Sequence, residues 1–194
     1  MATRIETTPR PLRADAQRNR DKLVAVATKA FTDSPTEVSL EQIAREAGVG
    51  IGTLYRNFPT RELLVLAVYE QQIDDLDRLS AELVGGKDPV GALRTWMLAF
   101  TDYVAVKRGL ISLLRSMIEA DGALLDQAKL KLRAAADRLL EAAKSTGAIR
   151  DLSAEDLVRT LSGVCMASGD TTFPATVVDL IVDGLRYRAA EPAG

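Results

Sequence analysis

Two short helical patterns separated by a glycine occupy residues 39–58 and restrict what this chain can fold into. Ser39 and Gln42 have the spacing of a capping box, in which the serine hydroxyl accepts from a free backbone N–H and the glutamine reaches back to the serine. Gly48 follows this first helix at the place where a left-handed residue reverses the chain. Apolar residues at helical spacing define one face of each helix: Leu40, Ile43, Ala44 and Ala47, then Ile51, Leu54, Tyr55 and Phe58. The pattern predicts a helix-turn-helix, whose second helix enters the major groove of DNA.

The glycines of the stretch GVGIGTLYRNF are unusually dense for a helical region. Gly50 is acceptable as the N-cap of the second helix, and Pro59 ends that helix. Gly52 falls inside the helix, where glycine is less favourable than alanine by about 1 kcal/mol. We therefore expect the backbone at Gly52 to approach an external partner closely.

Helical periodicity continues through the rest of the chain, and no segment has a convincing strand pattern. A helix that begins near residue 15 or earlier and is ended by Asp33-Ser34-Pro35 precedes the helix-turn-helix, and a long helix at 61–83 follows it. Further helices are predicted at 89–107, 110–120, 123–145, 154–167 and 174–189, with glycines between several of them. The fold class is therefore all-α, and residues 1–13, which contain two prolines and no apolar period, are predicted to form a flexible arm.

Charge is distributed unevenly along the chain. The 194 residues have a formal charge of −2, but residues 1–62 carry 10 Lys and Arg against 8 Asp and Glu, whereas residues 63–194 carry 15 against 19. The basic excess at the N-terminus is suited to phosphates. The absence of histidine and the presence of one cysteine disfavour an enzyme, a cysteine-based zinc site and an internal disulfide, and no cofactor is predicted.

Membrane and export signals are weak in this sequence. The longest apolar run, at 63–69, is far shorter than the roughly 20 residues of a membrane span. Residues 1–13 lack the apolar block of a signal peptide. A cytoplasmic protein without membrane partners is the expectation.

The stretch SLEQIAREAGVGIGTLYRNFPTRELL, Ser39 to Leu64, resembles the N-terminal domain of TetR-type transcriptional regulators. The capped helix, Ala-x3-Gly, Thr-Leu-Tyr, Phe and Pro-Thr-Arg-Glu occur in the order typical of that family. The resemblance implies a three-helix DNA-binding domain at 14–62 and a helical ligand-binding and dimerisation domain at 63–194. It also implies a homodimer on a palindromic operator, most simply a repressor released by a small, mainly apolar ligand.

The same resemblance implies a set of DNA contacts on the second helix of the motif and at neighbouring helix caps. Gly50 and Ile51 depart from the family pattern, because a hydroxyl cap and a polar residue are common at these places. Tyr55 and Leu54 are also expected to fill the core. The complete set is Ser39, Gly50, Ile51, Gly52, Thr53, Tyr55, Arg56, Asn57, Thr60 and Arg61.

For the C-terminal part, aromatic and Met residues between 93 and 118 suit either a core or a ligand pocket. The resemblance favours a pocket bounded by Trp96, Phe100, Tyr103 and Met117, with Asp102 and Arg115 as polar anchors. Two apolar helix faces near the C-terminus either close the domain or form the dimer interface of the resembled family: Leu157, Leu161, Val164, Ser168, Val177, Val178, Ile181 and Leu185. The alternative function is an α-helical protein-interaction module without specific DNA binding, which leaves the helix-turn-helix unexplained.

Overall fold

The computed structural model describes residues 10–33, 38–120, 123–167 and 175–186. Over these ranges the chain forms eight α-helices and no strand, which confirms the all-α prediction. The helices are α1 (Arg10–Asp33), α2 (Leu40–Glu46), α3 (Ile51–Asn57), α4 (Arg61–Leu83), α5 (Pro89–Ala120), α6 (Ala123–Ser145), α7 (Ala154–Ala167) and α8 (Ala175–Arg186).

Two helix boundaries differ from the sequence predictions. Helix α1 begins at Arg10, so residues 10–13 are helical rather than part of the predicted arm, whose residues 1–9 lie outside the described ranges. Pro11 is compatible with this start, because the first turn of a helix needs no N–H donor. Helix α5 runs through Gly109 without a break, since Val106, Leu110 and Leu114 are all buried along one stripe and their packing outweighs the glycine.

The chain divides into two compact units, residues 1–68 and 69–194. In the first, α1, α2 and α3 contact one another. Its core contains side chains that are almost completely buried: Leu23, Ala27, Phe31, Ile43, Leu54, Phe58 and Leu64. In the second unit, α5 contacts α6, α7 and α8, and the large buried residues Trp96, Phe100 and Leu139 lie among these helices.

Candidate nucleic-acid interface

The turn between α2 and α3 is built from backbone hydrogen bonds that the local sequence encodes. The Ser39 hydroxyl accepts from the Gln42 N–H at 3.1 Å, as predicted. At the other end of α2, the Gly48 N–H donates to the Arg45 carbonyl and the Val49 N–H donates to the Ala44 carbonyl. This is a Schellman motif, and Gly48 has the left-handed φ of 64° that the motif requires. The turn therefore fixes where α3 begins.

The second hydrogen bond of the predicted capping box, from Gln42 back to Ser39, is replaced by another. The side-chain amide of Gln42 donates forward to the Glu46 carboxylate at 2.9 Å, rather than turning back toward Ser39. A charged acceptor one helical turn away offers a stronger hydrogen bond than a neutral one. Gly50 is the extended N-cap of α3, and its carbonyl accepts from the N–H groups of Thr53 and Leu54.

Helix α3 packs against the rest of its unit through a narrow stripe of buried side chains. More of its surface is therefore exposed than the apolar pattern predicts. Leu54 and Phe58 are buried, and the Arg20 guanidinium lies 5.1 Å from the centre of the Phe58 ring. Ile51 and Tyr55 are instead 40% and 43% exposed, so the prediction that they pack inward is wrong. A helix of seven residues buries only the stripe that touches α1 and α2, and its neighbouring stripe stays outside.

The polar side chains of α3 are linked to one another along the helix. Arg56 donates from Nε to the Gly52 carbonyl at 3.1 Å and from Nη2 to the Thr53 hydroxyl at 3.0 Å. Asn57 donates to the Thr53 carbonyl at 2.8 Å. These bonds hold the Arg56 guanidinium against the exposed side of α3, and most of its five N–H donors remain for another molecule.

Gly52 occupies open space. A Cβ atom added to it would have no other atom of the described residues within 4 Å, apart from the backbone of its own helix and its chain neighbours. Packing inside the protein therefore gives no reason for a glycine at this helical position. Close approach of an external partner to Gly52 stays a prediction.

Two further predicted DNA contacts, Thr60 and Arg61, have interactions within the first unit. The Thr60 hydroxyl accepts from the Leu63 N–H at 3.4 Å and caps α4. Hydrogen bonds from the Glu62 backbone N–H and from Thr60 lower the pKa of the Glu62 carboxyl. The Arg61 Nη1 donates to the Val38 carbonyl at 2.5 Å, with the guanidinium 4.9 Å from the centre of the Phe31 ring. Arg61 thus connects the start of α4 with α1 and the segment before α2, a role that its local sequence does not reveal.

The residues predicted to bound a ligand pocket are only partly brought together. Trp96 is fully buried, its indole N–H donates to the Leu76 carbonyl at 3.0 Å, and it does not line the cavity that Phe100 and Tyr103 share. Phe100 and Tyr103 line a cavity of about 200 Å³ between α5, α6 and α7. Asp102 is exposed and does not line the cavity, and the side chains of Met117 and Arg115 lie outside the described part of the structure.

Sequence reasoning missed most of the cavity wall. Lys107 from α5, Lys129 and Arg133 from α6, and Glu155 and Arg159 from α7 all line it. Each reads as an ordinary surface charge in the sequence, because nothing local shows that three helices bring these residues to one place.

The predicted dimer interface is also only partly exposed. Leu157, Leu161, Val178 and Leu185 are buried within the second unit, where they close its core, the first of the two alternatives that the sequence left open. The most apolar stripe of each helix closes the core of its own unit. Val164 is 37% exposed, Val177 and Ile181 are half-buried, and Ser168 lies outside the described residues. Two exposed apolar residues were not predicted from the sequence, Met166 on α7 and Leu180 on α8. The Leu180 side chain is 65% exposed.

Comparison with known proteins identifies the family. The model of bacterial regulatory proteins of the tetR family matches residues 23–68, and the C-terminal domain of SbtR-like transcriptional regulators matches residues 88–187. The chain belongs to the TetR family. A TetR transcriptional regulator of Streptomyces coelicolor is 36% identical, with 88% of this chain and 99% of that one covered and a TM-score of 0.78. The TetR regulatory protein of Mycobacterium vanbaalenii is 31% identical, with 91% and 100% covered and a TM-score of 0.73.

HTH-type transcriptional regulators of Staphylococcus aureus are 38% identical to this TetR-family chain over 64 residues. That match covers 32% of this chain, and the chain spans about a third, 35%, of the length of these curated relatives. The resemblance in residues 39–64 is thus confirmed, and TetR-family proteins are regulators rather than a class of enzymes. Among the helices that the structure describes, none combines the length and the hydropathy needed to cross a membrane.

Proposed function

We propose that this TetR-family regulator holds a palindromic operator as a homodimer and releases it when a small molecule binds in the second unit. The observation that carries the proposal is the exposed side of α3. There Gly52 leaves the backbone open, and Thr53, Arg56 and Asn57 form a hydrogen-bonded polar surface. A helix of this kind suits a major groove, whose base edges carry the donors, acceptors and methyl groups that such side chains recognise.

The roles of the contact residues follow from their chemistry. Arg56 donates to a guanine edge or a phosphate, and Thr53 offers a hydroxyl and a methyl group. The exposed Tyr55 phenol donates to a phosphate, and Ile51 supplies an apolar contact to a thymine methyl group. The capped N-termini of α2 and α4, at Ser39 and Thr60, present backbone N–H groups suited to phosphates. Gly50 and Gly52 allow close approach, and Arg61 in the first turn of α4 is a further proposed phosphate contact.

The homodimer is proposed to form through the outer sides of α7 and α8. Helix α8 is joined to α5 by the ion pair between Arg94 and Asp179 at 2.5 Å, and the next residue, Leu180, is exposed. Met166 and the partly buried Ile181 are apolar residues available to the same surface. A two-fold dimer that reads successive major grooves needs its two copies of α3 about 34 to 36 Å apart, and its operator is then an inverted repeat.

The cavity beside Phe100 and Tyr103 supports a ligand-binding role for the second unit. A ligand that binds one dimer conformation better than the other changes the spacing of the two α3 helices. Coupling of about 1 to 3 kcal/mol changes operator affinity roughly 5- to 150-fold, which is enough for regulation.

The test is selection of duplexes from a random DNA pool by the full chain, with the enriched site measured again over a series of salt concentrations. We expect an inverted repeat whose affinity falls steeply as salt rises, because each phosphate contact releases counterions. Sedimentation equilibrium of the free protein at micromolar concentration should give a dimer. A monomer, or no enriched site from folded protein freed of bound ligand, would contradict the proposal and favour a protein-interaction module.

A further inference from the structure

The cavity between α5, α6 and α7 is lined by two chemically different groups of side chains. Phe100, Leu132 and Val158 are apolar. The lining also includes the cations Lys107, Lys129, Arg133 and Arg159, with Glu155 as the one carboxylate lining the cavity in the described structure. A purely apolar ligand would satisfy the first group only.

Three of the four cations already have carboxylate partners. Glu155 accepts from Arg159 at 2.6 Å and lies 3.3 Å from Arg133. Lys129, which is exposed, pairs with Asp126 at 3.0 Å. Each of these charges is balanced or solvated, so they do not require a ligand.

Lys107 is the exception. Its side chain is half-buried, and within the described ranges its ammonium has no carboxylate or carbonyl partner. The Tyr103 ring lies beside it, with the ring centre 5.9 Å from Nζ. Burial lowers the pKa of Lys107, and the positive charge of Lys129 lowers it further. A partly desolvated cation without an anion is unfavourable, and a bound anion would remove that penalty.

We infer that the effector of this cavity is a small amphipathic monocarboxylate, whose carboxylate pairs with Lys107 and whose apolar part lies against Phe100, Leu132 and Val158. A single unpaired cation matches a single negative charge. The volume of about 200 Å³ lies below the roughly 300 Å³ at the lower end of ordinary ligand pockets, so the apolar part is short. This inference rests on the proposed function, because it names the chemistry of the ligand that the proposed regulator responds to.

The test is calorimetric titration of the full-length protein with straight-chain monocarboxylates of four to ten carbons, each compared with the primary alcohol of the same length. We expect at least one carboxylate to bind and its alcohol to bind at least 10-fold more weakly. Lys107→Met keeps the length and the apolar stem of the side chain, and it should reduce carboxylate affinity at least 10-fold. Lys87→Met removes the same charge from an exposed position of the same unit and should leave affinity unchanged.

The inference is overturned if no carboxylate of the series binds at millimolar concentration, if alcohol and carboxylate bind equally, or if Lys107→Met binds like the parent protein. The operator assay separates this failure from failure of the proposed function. Release of a selected operator by a neutral alcohol but not by the carboxylate would keep ligand-controlled regulation and reject the anionic effector. Carboxylate binding by a protein that selects no operator would keep the anion site and reject the operator-binding proposal.

Discussion

Helix α3 and helix α7 each contain a glycine at which an added side chain would meet open space, yet the surfaces around the two glycines differ in kind. Around Gly52 the exposed residues include Thr53 and Arg56, which hydrogen-bond to one another. Around Gly163 they include Val164 and Met166, and Leu180 is exposed on α8. An unobstructed helical glycine thus lies in a polar surface in the first unit and in an apolar surface in the second. The first suits the edge of a nucleic acid, and the second suits a second copy of the chain.

The largest effect is expected from a charge on the apolar surface. Leu180→Asp should shift the dimer toward monomer, because a two-fold interface loses the leucine twice, at about 1.5 to 3 kcal/mol for each. A loss of about 3 kcal/mol or more weakens dimerisation at least roughly 100-fold, and sedimentation equilibrium measures it. Leu130→Asp is the matched control, because Leu130 on α6 is 63% exposed, close to the value for Leu180. Equal behaviour of the two variants would remove α8 from the interface.

The next effect concerns the polar surface of α3. Arg56→Ala should weaken operator binding by about 1 to 3 kcal/mol, since the guanidinium supplies hydrogen bonds to a base or a phosphate. Its thermal unfolding should change little, because the bonds of Arg56 lie on the exposed side of its own helix. Arg78→Ala removes the same charge from an exposed ion pair in the second unit. Fluorescence anisotropy with labelled operator should separate the two variants, and identical affinities would show that Arg56 does not touch DNA.

The two glycines allow a crossed experiment. Both Gly52→Ala and Gly163→Ala should stabilise the free protein by roughly 1 kcal/mol, because neither new methyl group meets an obstacle in the described structure. Gly52→Ala should then weaken operator binding without changing dimerisation, whereas Gly163→Ala should weaken dimerisation and leave the affinity of the assembled dimer for operator unchanged. Chemical denaturation, anisotropy and sedimentation measure the three quantities. If each alanine is stabilising and leaves both binding reactions intact, the glycines do not mark interfaces.

The smallest effect is expected inside the second unit, where the charge of Lys107 faces a cavity instead of an exposed surface. Because burial lowers the pKa of Lys107 in the folded protein, the unfolded chain holds its proton more tightly. Stability should therefore rise with pH between the lowered folded value and the ordinary value near 10.5. Below that pH window the full cost of burying the charged Lys107 ammonium destabilises the folded protein. Lys107→Met should therefore raise the melting temperature at neutral pH when no ligand is bound. This gain should disappear as pH approaches 10.5, and a gain independent of pH would point to packing instead of charge.

The predictions that the structure confirms depend on neighbours along the chain. The Ser39 cap, the left-handed Gly48 and the Gly50 N-cap each depend on hydrogen bonds that span at most five residues. Their residue types therefore predict their conformations directly. The Gln42 side chain shows the limit of this reasoning. Both Ser39 and Glu46 are near it in the sequence, and its amide donates to the charged Glu46 carboxylate.

Errors arose where a side chain meets residues that are distant in the sequence. Apolar spacing marked Ile51 and Leu54 equally, but contacts with other helices bury only Leu54. The same spacing marked Leu161 and Val178 as an interface, although their own unit buries both. For Arg61, a predicted phosphate contact, the sequence did not show that its guanidinium also lies beside Phe31 and the Val38 carbonyl.

The sequence by itself determined the helical class, the helix-turn-helix and its family, because periodicity, caps and turns depend on residues that are close together in the sequence. Only the tertiary structure decided which stripe of each helix is covered and which charges share a cavity. Lys107 and Glu155 are 48 positions apart in the chain, yet they line the same cavity. Burial and electrostatic environment are sums over all neighbours in space, and a linear pattern of residues contains only the neighbours along the chain.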